Sequence, residues 1–595
     1  MCGIAGLLGD FGENRHQLKQ MLDTMFHRGP DEQGVYFDNY FSGGMRRLSI
    51  NDVSGGSQPL YSKDKNVIVF YNGEIYNSKK LKHELVLKGK IFRTESDGEV
   101  IAHLYEDIGE LVFEKLDGMF AIAIWDVQKK RLLLARDSAG EKPLYYMPVK
   151  DNELVFASEV KAIKSLSSLS ITLNRKALWD FSTFLWIPEP STAYNEILSL
   201  PRGSFLIADS SGISVKSFHS ETIDTSIADL SDRSVIELTR HTVEESIKSR
   251  LLSDVPVGSF LSGGLDSSII SAIASRELKT LDTFTVSFEN IRDPYHGHAD
   301  ESEAALLTAA ILGTNHHTVS VTADSMRADL DDFVKFGDLP FGVSSGLGIL
   351  AISKAAKEAG IKVLLSGDGA DECFGGYSWY EHIVSMKNSQ HKKYDNKAIS
   401  FQNVGISLKD RVKAIERMSP NYRGWAWHYY AHESEKNLLF NKEWSSDLLS
   451  SIRYFDTLNK NDSAESFIKH DRDFYFPNEM LRKVDRMTMA HSVEGRAPFA
   501  SRSIIALANN LKSHQMVKGK NLKWVLRKAF EDILPMEIIN RPKHGFNVPI
   551  DHWLNDSWSD LVEESFSTDS ELYKHGMISK DSYLVAKKCL ETKNV

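Results

Sequence analysis

Two hydrophobic rhythms that cannot share one core divide this chain. Up to about residue 210 the apolar residues come as β-branched and aromatic runs, among them NVIVFYNGEIYN (66–77) and GMFAIAIWDVQKKRLLLARD (118–137), broken at Asn-Gly and at polar turns. KKLKHELVLKG (79–89) and DGEVIAHLYEDIGELVFEKL (97–116) carry helical spacing instead, the second opening with acidic residues that suit a helix N-terminus. Strands layered with helices predict an α+β sandwich. From residue 255 the pattern changes: VPVGSFLSGG reads as strand and turn, LDSSIISAIASREL as helix, LDTFTVSF as strand, and IKVLLSGDGADE as a strand ending in a Gly-rich loop. Strand–helix alternation with short loops predicts an α/β parallel sheet wound with helices, with ligands at the carboxyl ends of its strands. After residue 380 the chain reads as mostly helical.

The polar stretch ADSSGISVKSFHSETIDTSIADLSD (208–232) lies between the two patterns and reads as a linker or edge hairpin. We draw the domains at residues 2–215 and 235–595, since 595 residues are too many for one core. A net charge of −10 without a long basic run argues against nucleic acid as a partner. No stretch approaches the roughly 18 unbroken apolar residues of a membrane span, and no basic region followed by an apolar run marks a signal peptide. Three scattered cysteines, Cys2, Cys373 and Cys589, form neither a disulfide framework nor a zinc motif, so a cytoplasmic location is expected.

Chemistry concentrates in two places. In SFLSGGLDSSII, residues Ser262, Gly263, Gly264, Asp266, Ser267 and Ser268 lie between a strand and a helix. Glycines let backbone N–H groups converge on an anion, and the helix N-terminus adds partial positive charge. The loop has neither the Gly-Lys-Ser/Thr ending of a P-loop nor a GxGxxG. SGGLDSS resembles the pyrophosphate-binding loop of the ATP pyrophosphatases, which cleave ATP to AMP and pyrophosphate while adenylating a substrate. A second acidic Gly-rich loop, LLSGDGADECFGG, adds Asp371; with Asp266 it could hold Mg²⁺ against ATP phosphates, as hard oxygen ligands should.

The other place is the start of the chain, MCGIAGLLGD. A thiol needs a base at neutral pH, and the α-amino group, with a pKa of about 7.7–8.0, serves if Met1 is removed and Cys2 leads the chain. FHRGPDEQG, RRLSIND, YNGEIYN and TESDGEV follow in order, and together with MCGIAG they resemble the class II, N-terminal-nucleophile glutamine amidotransferase domain. The resemblance implies that Arg47 and Asp97 hold the α-carboxylate and α-amino ends of glutamine, with Asn72, Gly73 and Glu74 alongside. Asn72 and Gly73 would also form the oxyanion hole.

A glutaminase followed by an ATP-pyrophosphate domain resembles the glutamine-hydrolysing asparagine synthetases over essentially the whole chain, including MLRKVDRMTMAHSVEGRAPF, LKWVLRKAF and RPKHGFNVP. This implies that Cys2 releases ammonia from glutamine, that ATP adenylates the β-carboxylate of aspartate, and that ammonia displaces AMP. By motif position Leu261, Val286, Ser366 and Gly367 would contact adenosine or ribose. Lys523 (or Lys520) would steady the charge of adenylation, and Asp368 would act as an acid/base or in forming the intermediate. Asp368 stands where some members carry Glu, and Ala500-Ser501 departs from the usual Leu-Asp after Pro-Phe. The rival reading keeps the chemistry and amidates another carboxylate, such as a uronic acid of a surface polysaccharide. A homodimer is the family expectation.

Overall fold

The computed structural model describes residues 2–150, 152–218, 227, 230–288, 292–293, 297–298, 300–385, 425–456, 464–542, 545 and 548–591. In the first part β1 (Cys2–Leu8), β2 (Glu32–Phe37), β3 (Phe41–Arg47), β4 (Leu60–Tyr61), β5 (Val67–Ile75), β6 (Gly118–Asp126), β7 (Arg131–Arg136), β8 (Tyr145–Lys150), β9 (Glu153–Ala157), β10 (Leu198–Ser199), β11 (Ser204–Asp209) and β12 (Gly212–Ser217) form two six-stranded antiparallel sheets. Their orders are β10-β8-β9-β1-β3-β2 and β12-β11-β7-β6-β5-β4.

The side-chain period of two explains the layering. Ile68 and Phe70 of β5, Ala121, Ala123 and Trp125 of β6, and Cys2, Ile4 and Leu8 of β1 share one buried cluster between the sheets. The intervening Val67, Val69 and Tyr71 face the opposite way, onto helices Ser78–Leu87 and Glu99–Ile108. Ala5 and Leu7 meet helices Asn14–Thr24 and Val160–Lys164. Because helices cover both outer faces, strands such as β1 and β5 are buried along their whole length. This is the layered α+β sandwich expected.

In the second part β13 (Val257–Phe260), β14 (Asp282–Phe288), the hairpin β15 (Arg292–Asp293) and β16 (Gly297–His298), β17 (Asn315–Val321), β18 (Val363–Leu365) and β19 (Glu494–Arg496) follow. The main sheet has five parallel strands in the order β17-β14-β13-β18-β19. Val363 and Leu365 pack with helices Asp232–Ser249 and Leu265–Glu277 on one face, while Leu364 packs with helix Ser345–Glu358 on the other. The order reverses at β13, so loops following β13 and β18 open on a common crevice. Strand β19 is a departure: VEGRAPF reads from sequence as part of a helical and loop region, yet Glu494–Arg496 complete the sheet. Three residues are too few to display a strand period.

Residues 219–226 and 228–229, between the two domains drawn from sequence, lie outside those described. Among the described residues no helix is long and apolar enough to cross a membrane.

The two parts meet through buried charge. Helix Leu481–Met489 is buried at every position, Arg482, Lys483, Asp485 and Arg486 included. Arg28 forks onto Asp485 with Nη1 and Nη2 at 2.9 and 3.0 Å, and Arg486 Nη1 lies 2.9 Å from Glu159. Asp485→Ala leaves Arg28 buried without its bidentate partner. It is expected to cost about 3–5 kcal/mol, read as a lowered midpoint in thermal or urea unfolding.

Candidate active sites

The first site forms where β1, β3 and β5 converge. Cys2 lies opposite Arg47 in the β1–β3 register, and its backbone nitrogen donates to Asn72 Oδ1 at 2.8 Å. Arg28 Nε donates to the Cys2 carbonyl at 3.1 Å. Burial pushes the Cys2 thiol above its ordinary range, opposed by the amino-terminal charge, a hydrogen bond from the Leu48 backbone and Arg47. Such a thiol does not ionise unaided and requires a base.

Asn72 is wholly buried, and its Nδ2 has no hydrogen-bond partner among the described residues. An unfilled amide donor beside a nucleophile is what an oxyanion hole requires. Gly73 follows at φ +148°, and a Cβ there would stand 1.9 Å from the Met119 carbonyl oxygen, so no other residue fits.

Arg47 donates from Nη2 to the carbonyls of Asp52 and Asn51 at 2.7 and 3.1 Å and from Nη1 to Glu32 at 3.0 Å. Asp97 accepts the Ile75 N–H at 2.6 Å and the Tyr71 hydroxyl. Glu74 accepts from Asn51 and lies 3.4 Å from Arg496. Burial, then Asp97 and Glu494, holds the Glu74 carboxyl well above the usual range. Two buried carboxyls side by side call for a cation. All six residues singled out for glutamine thus converge here.

The second site lies at the ends of β13 and β18. Ser262 and Ser267 hydroxyls approach to 3.2 Å, Gly264 N–H donates to Ser262 Oγ at 3.3 Å, and Ser268 Oγ donates to the Gly264 carbonyl at 2.6 Å. Gly263 adopts φ +73°, where a Cβ would collide with the Ala304 backbone at 2.6 Å. Leu261 and Val286 are buried in apolar clusters beside the loop. The loop after β18 lies against the first: a Cβ on Gly367 would meet Asp266 Cβ at 3.2 Å. Ser366 donates its hydroxyl to Asp368, whose other oxygen is 3.4 Å from Lys483 Nζ.

Between the loops Lys523 Nζ sits 2.5 Å from Asp266 and 2.7 Å from Asp371. Lys523 is buried at the start of helix Trp524–Ala529, whereas Lys520 is exposed. Asp266 Oδ1 is buried without a hydrogen-bond partner among the described residues. Two carboxylates, one oxygen of them unfilled, fit a divalent cation whose other ligands are phosphate and water. Glu372, next in sequence, accepts the Tyr377 hydroxyl at 2.7 Å, and burial with Asp371 beside it pushes its carboxyl up to about 8.

Sequence reading missed Lys483 and Arg496, both buried. Their signal was faint, since charged residues at helical spacing ordinarily mark a solvated face. Of RPKHGFNVP, residues 543, 544, 546 and 547 lie outside those described.

A buried thiol at the second residue with an amide donor at its side, and a crevice where two acidic Gly-rich loops meet, fit a glutamine-dependent amidotransferase fused to a synthetase. Comparison with known proteins agrees. The asparagine synthase family matches residues 238–590, and the glutamine amidotransferase domain matches residues 1–219. "Asparagine synthetase [glutamine-hydrolyzing] 1" of Bacillus subtilis (strain 168) is 33% identical over 595 residues, covering 96% of this chain and 92% of that protein. "Putative asparagine synthetase [glutamine-hydrolyzing]" of Mycobacterium bovis is 31% identical, covering 96% and 90%. The chain belongs to the asparagine synthase family.

Asn72→Ala removes the unfilled donor. Glutaminase kcat is expected to fall about a hundredfold or more with little change in KM, measured as glutamate release without ATP.

Proposed function

We propose that this chain is a ligase that makes asparagine from aspartate, glutamine and ATP, with residues 2–215 as the glutaminase and 235–595 as the synthetase. The observation that carries the reading is the Cys2 nitrogen held 2.8 Å from Asn72 Oδ1 while Asn72 Nδ2 stays unfilled. Once Met1 is removed, that nitrogen is an α-amine positioned by Asn72. It takes the thiol proton, and the Cys2 sulfur attacks the glutamine amide. Asn72 Nδ2 and the Gly73 N–H stabilise the oxyanion. Ammonia leaves with a proton from the amine, and water then releases glutamate from the thioester. Arg47 binds the substrate's carboxylate, and Glu74 and Asp97 bind its ammonium.

In the second half Ser262, Gly263, Gly264, Ser267 and Ser268 cradle the pyrophosphate portion of ATP. Leu261, Val286, Ser366 and Gly367 flank adenosine and ribose. The aspartate β-carboxylate attacks the α-phosphate, pyrophosphate departs, and the carboxyl oxygen becomes a leaving group. Lys523 turns from the two aspartates toward the phosphate charge that develops. Mg²⁺ held by Asp266 and Asp371 would neutralise phosphate charge. Ammonia then attacks the activated carbonyl, AMP departs, and Asp368, steadied by Lys483, accepts the proton released from nitrogen. The scattered cysteines support a cytoplasmic enzyme, and the family resemblance supports a homodimer.

Purified protein given glutamine, ATP, magnesium and aspartate is expected to yield glutamate, AMP, pyrophosphate and asparagine together. Glutamate without AMP would instead point to another acceptor carboxylate. Cys2→Ala is expected to lose glutamine use and keep ammonia-dependent synthesis. If it still consumes glutamine, the nucleophile is elsewhere. Because burial keeps the thiol protonated, proton removal falls to the α-amine, with an ordinary pKa of about 7.7–8.0, whose neutral fraction grows as pH rises. Glutaminase kcat/KM is therefore expected to climb between about pH 6 and 8, read as glutamate release across that range.

A further inference from the structure

One side chain of the second domain reaches Glu74 and another braces the turn behind Arg47, neither with a part in any step above. Arg496 ends β19 and is wholly buried. Its Nε donates to Glu494 at 2.5 Å, and its Nη1 donates to the carbonyls of Arg250 and Leu252 at 2.6 and 2.7 Å. A guanidinium has five N–H groups, and these bonds use three. The other two, on Nη2, have no hydrogen-bond partner among the described residues and lie 3.4 Å from Glu74 Oε1. That separation exceeds the roughly 2.7–2.9 Å of a closed charge-assisted bond.

The segment that Arg496 grips also holds the Arg47 side of the pocket. Asp254, exposed, accepts the Asp52 N–H at 2.7 Å, and its own N–H donates to the Ile50 carbonyl at 3.0 Å. The Asn51 and Asp52 carbonyls are those that orient Arg47. The Asn51 side chain donates to the second oxygen of Glu74. Both ends of the pocket that would grasp glutamine's α-carbon substituents are therefore backed by the other domain. Arg496 also faces the nucleotide crevice, since its carbonyl accepts the Ser366 N–H at 2.8 Å.

Three carboxyls, Glu74, Asp97 and Glu494, crowd this spot, and the first two are held up by burial above all. A glutamine ammonium would ionise Glu74 and let it close onto the two idle N–H groups of Arg496.

We propose that Arg496 and Asp254 are positioning residues for glutamine hydrolysis supplied by the synthetase domain. Arg496 aims Glu74 at the α-ammonium of glutamine, and Asp254 fixes the turn that aims Arg47 at its carboxylate. The glutamine pocket is complete only against the docked second domain, and it shares one residue with the nucleotide loop. This rests on the reading that Glu74 and Arg47 bind glutamine.

The test uses the full chain and two assays, glutamate release without ATP and asparagine synthesis from free ammonia. Arg496→Lys keeps the charge and loses the fork, and is expected to raise the KM for glutamine about tenfold with kcat within about threefold. Asp254→Ala, at the surface and so no threat to folding, is expected to raise that KM about threefold with ammonia-dependent synthesis unchanged. Glu74→Gln is the control for the underlying reading and should raise the KM at least as much as Arg496→Lys. A raised KM in Glu74→Gln with normal values in both other variants would overturn the positioning role alone. A normal KM in Glu74→Gln would overturn the binding reading itself. Equal loss of both activities in Asp254→Ala with an unmoved KM would reduce its contact to scaffolding and overturn its assignment.

Discussion

The Arg28–Asp485 fork holds the rest together. A guanidinium and a carboxylate, both buried, are joined by two parallel hydrogen bonds across the seam between the halves. Removing such charges from water costs several kcal/mol for each ion, and the attraction offsets this only when the geometry is good and the remaining donors are used. Here four of the five N–H groups of Arg28 are used, since it also reaches Glu159 at 3.1 Å and the Cys2 carbonyl at 3.1 Å. Glu159 in turn binds His27 and Arg486, and Arg486 lies 3.3 Å from Asp338. Burial would raise Asp485, but Arg28, Lys142 and Arg486 hold its carboxyl below the usual range. A slip of the two halves by one side chain would strand several charges at once, so the network sets their register.

That register matters because nitrogen released in one half is consumed in the other. Ammonia released into bulk water is mostly protonated and loses its nucleophilicity. The Cys2 carbonyl is tied through Arg28 to the same buried helix that carries Lys483 toward Asp368. Arg496 makes a parallel connection, lying 3.4 Å from Glu74 and accepting the Ser366 N–H at its carbonyl. The interface is thus made of residues that each touch one site's scaffold and lean on the other's. Charge is suited to this use, since an unmatched buried ion is far more costly than a misplaced methyl group.

Much of the fold and the site was legible in the sequence. MCGIAG and YNGEIYN keep their neighbours because Cys2 and Asn72 lie on adjoining buried strands whose apolar alternation is plain to read. SGGLDSS is legible because at the φ of +73° of Gly263 a Cβ would strike the Ala304 backbone, so the turn must be written in residue type. Arg496 was not legible as an interface residue, nor Lys483 as the partner of Asp368. Their surroundings, VEGRAPF and MLRKVDRM, look like a loop and a solvated amphipathic helix, and local pattern does not reveal that another domain covers the polar face.

By itself the sequence determined two cores, a thiol at the second residue, an amide-bearing strand, and a Gly-rich strand-to-helix loop, because each depends on residues close together in the chain. Only the tertiary structure decided that Glu74 meets Arg496, that Asp52 meets Asp254, and that Lys523 bridges Asp266 and Asp371. Those meetings join residues well over a hundred positions apart, and those of Arg496 and Lys523 answer the need to pair buried charge. No local preference encodes that choice.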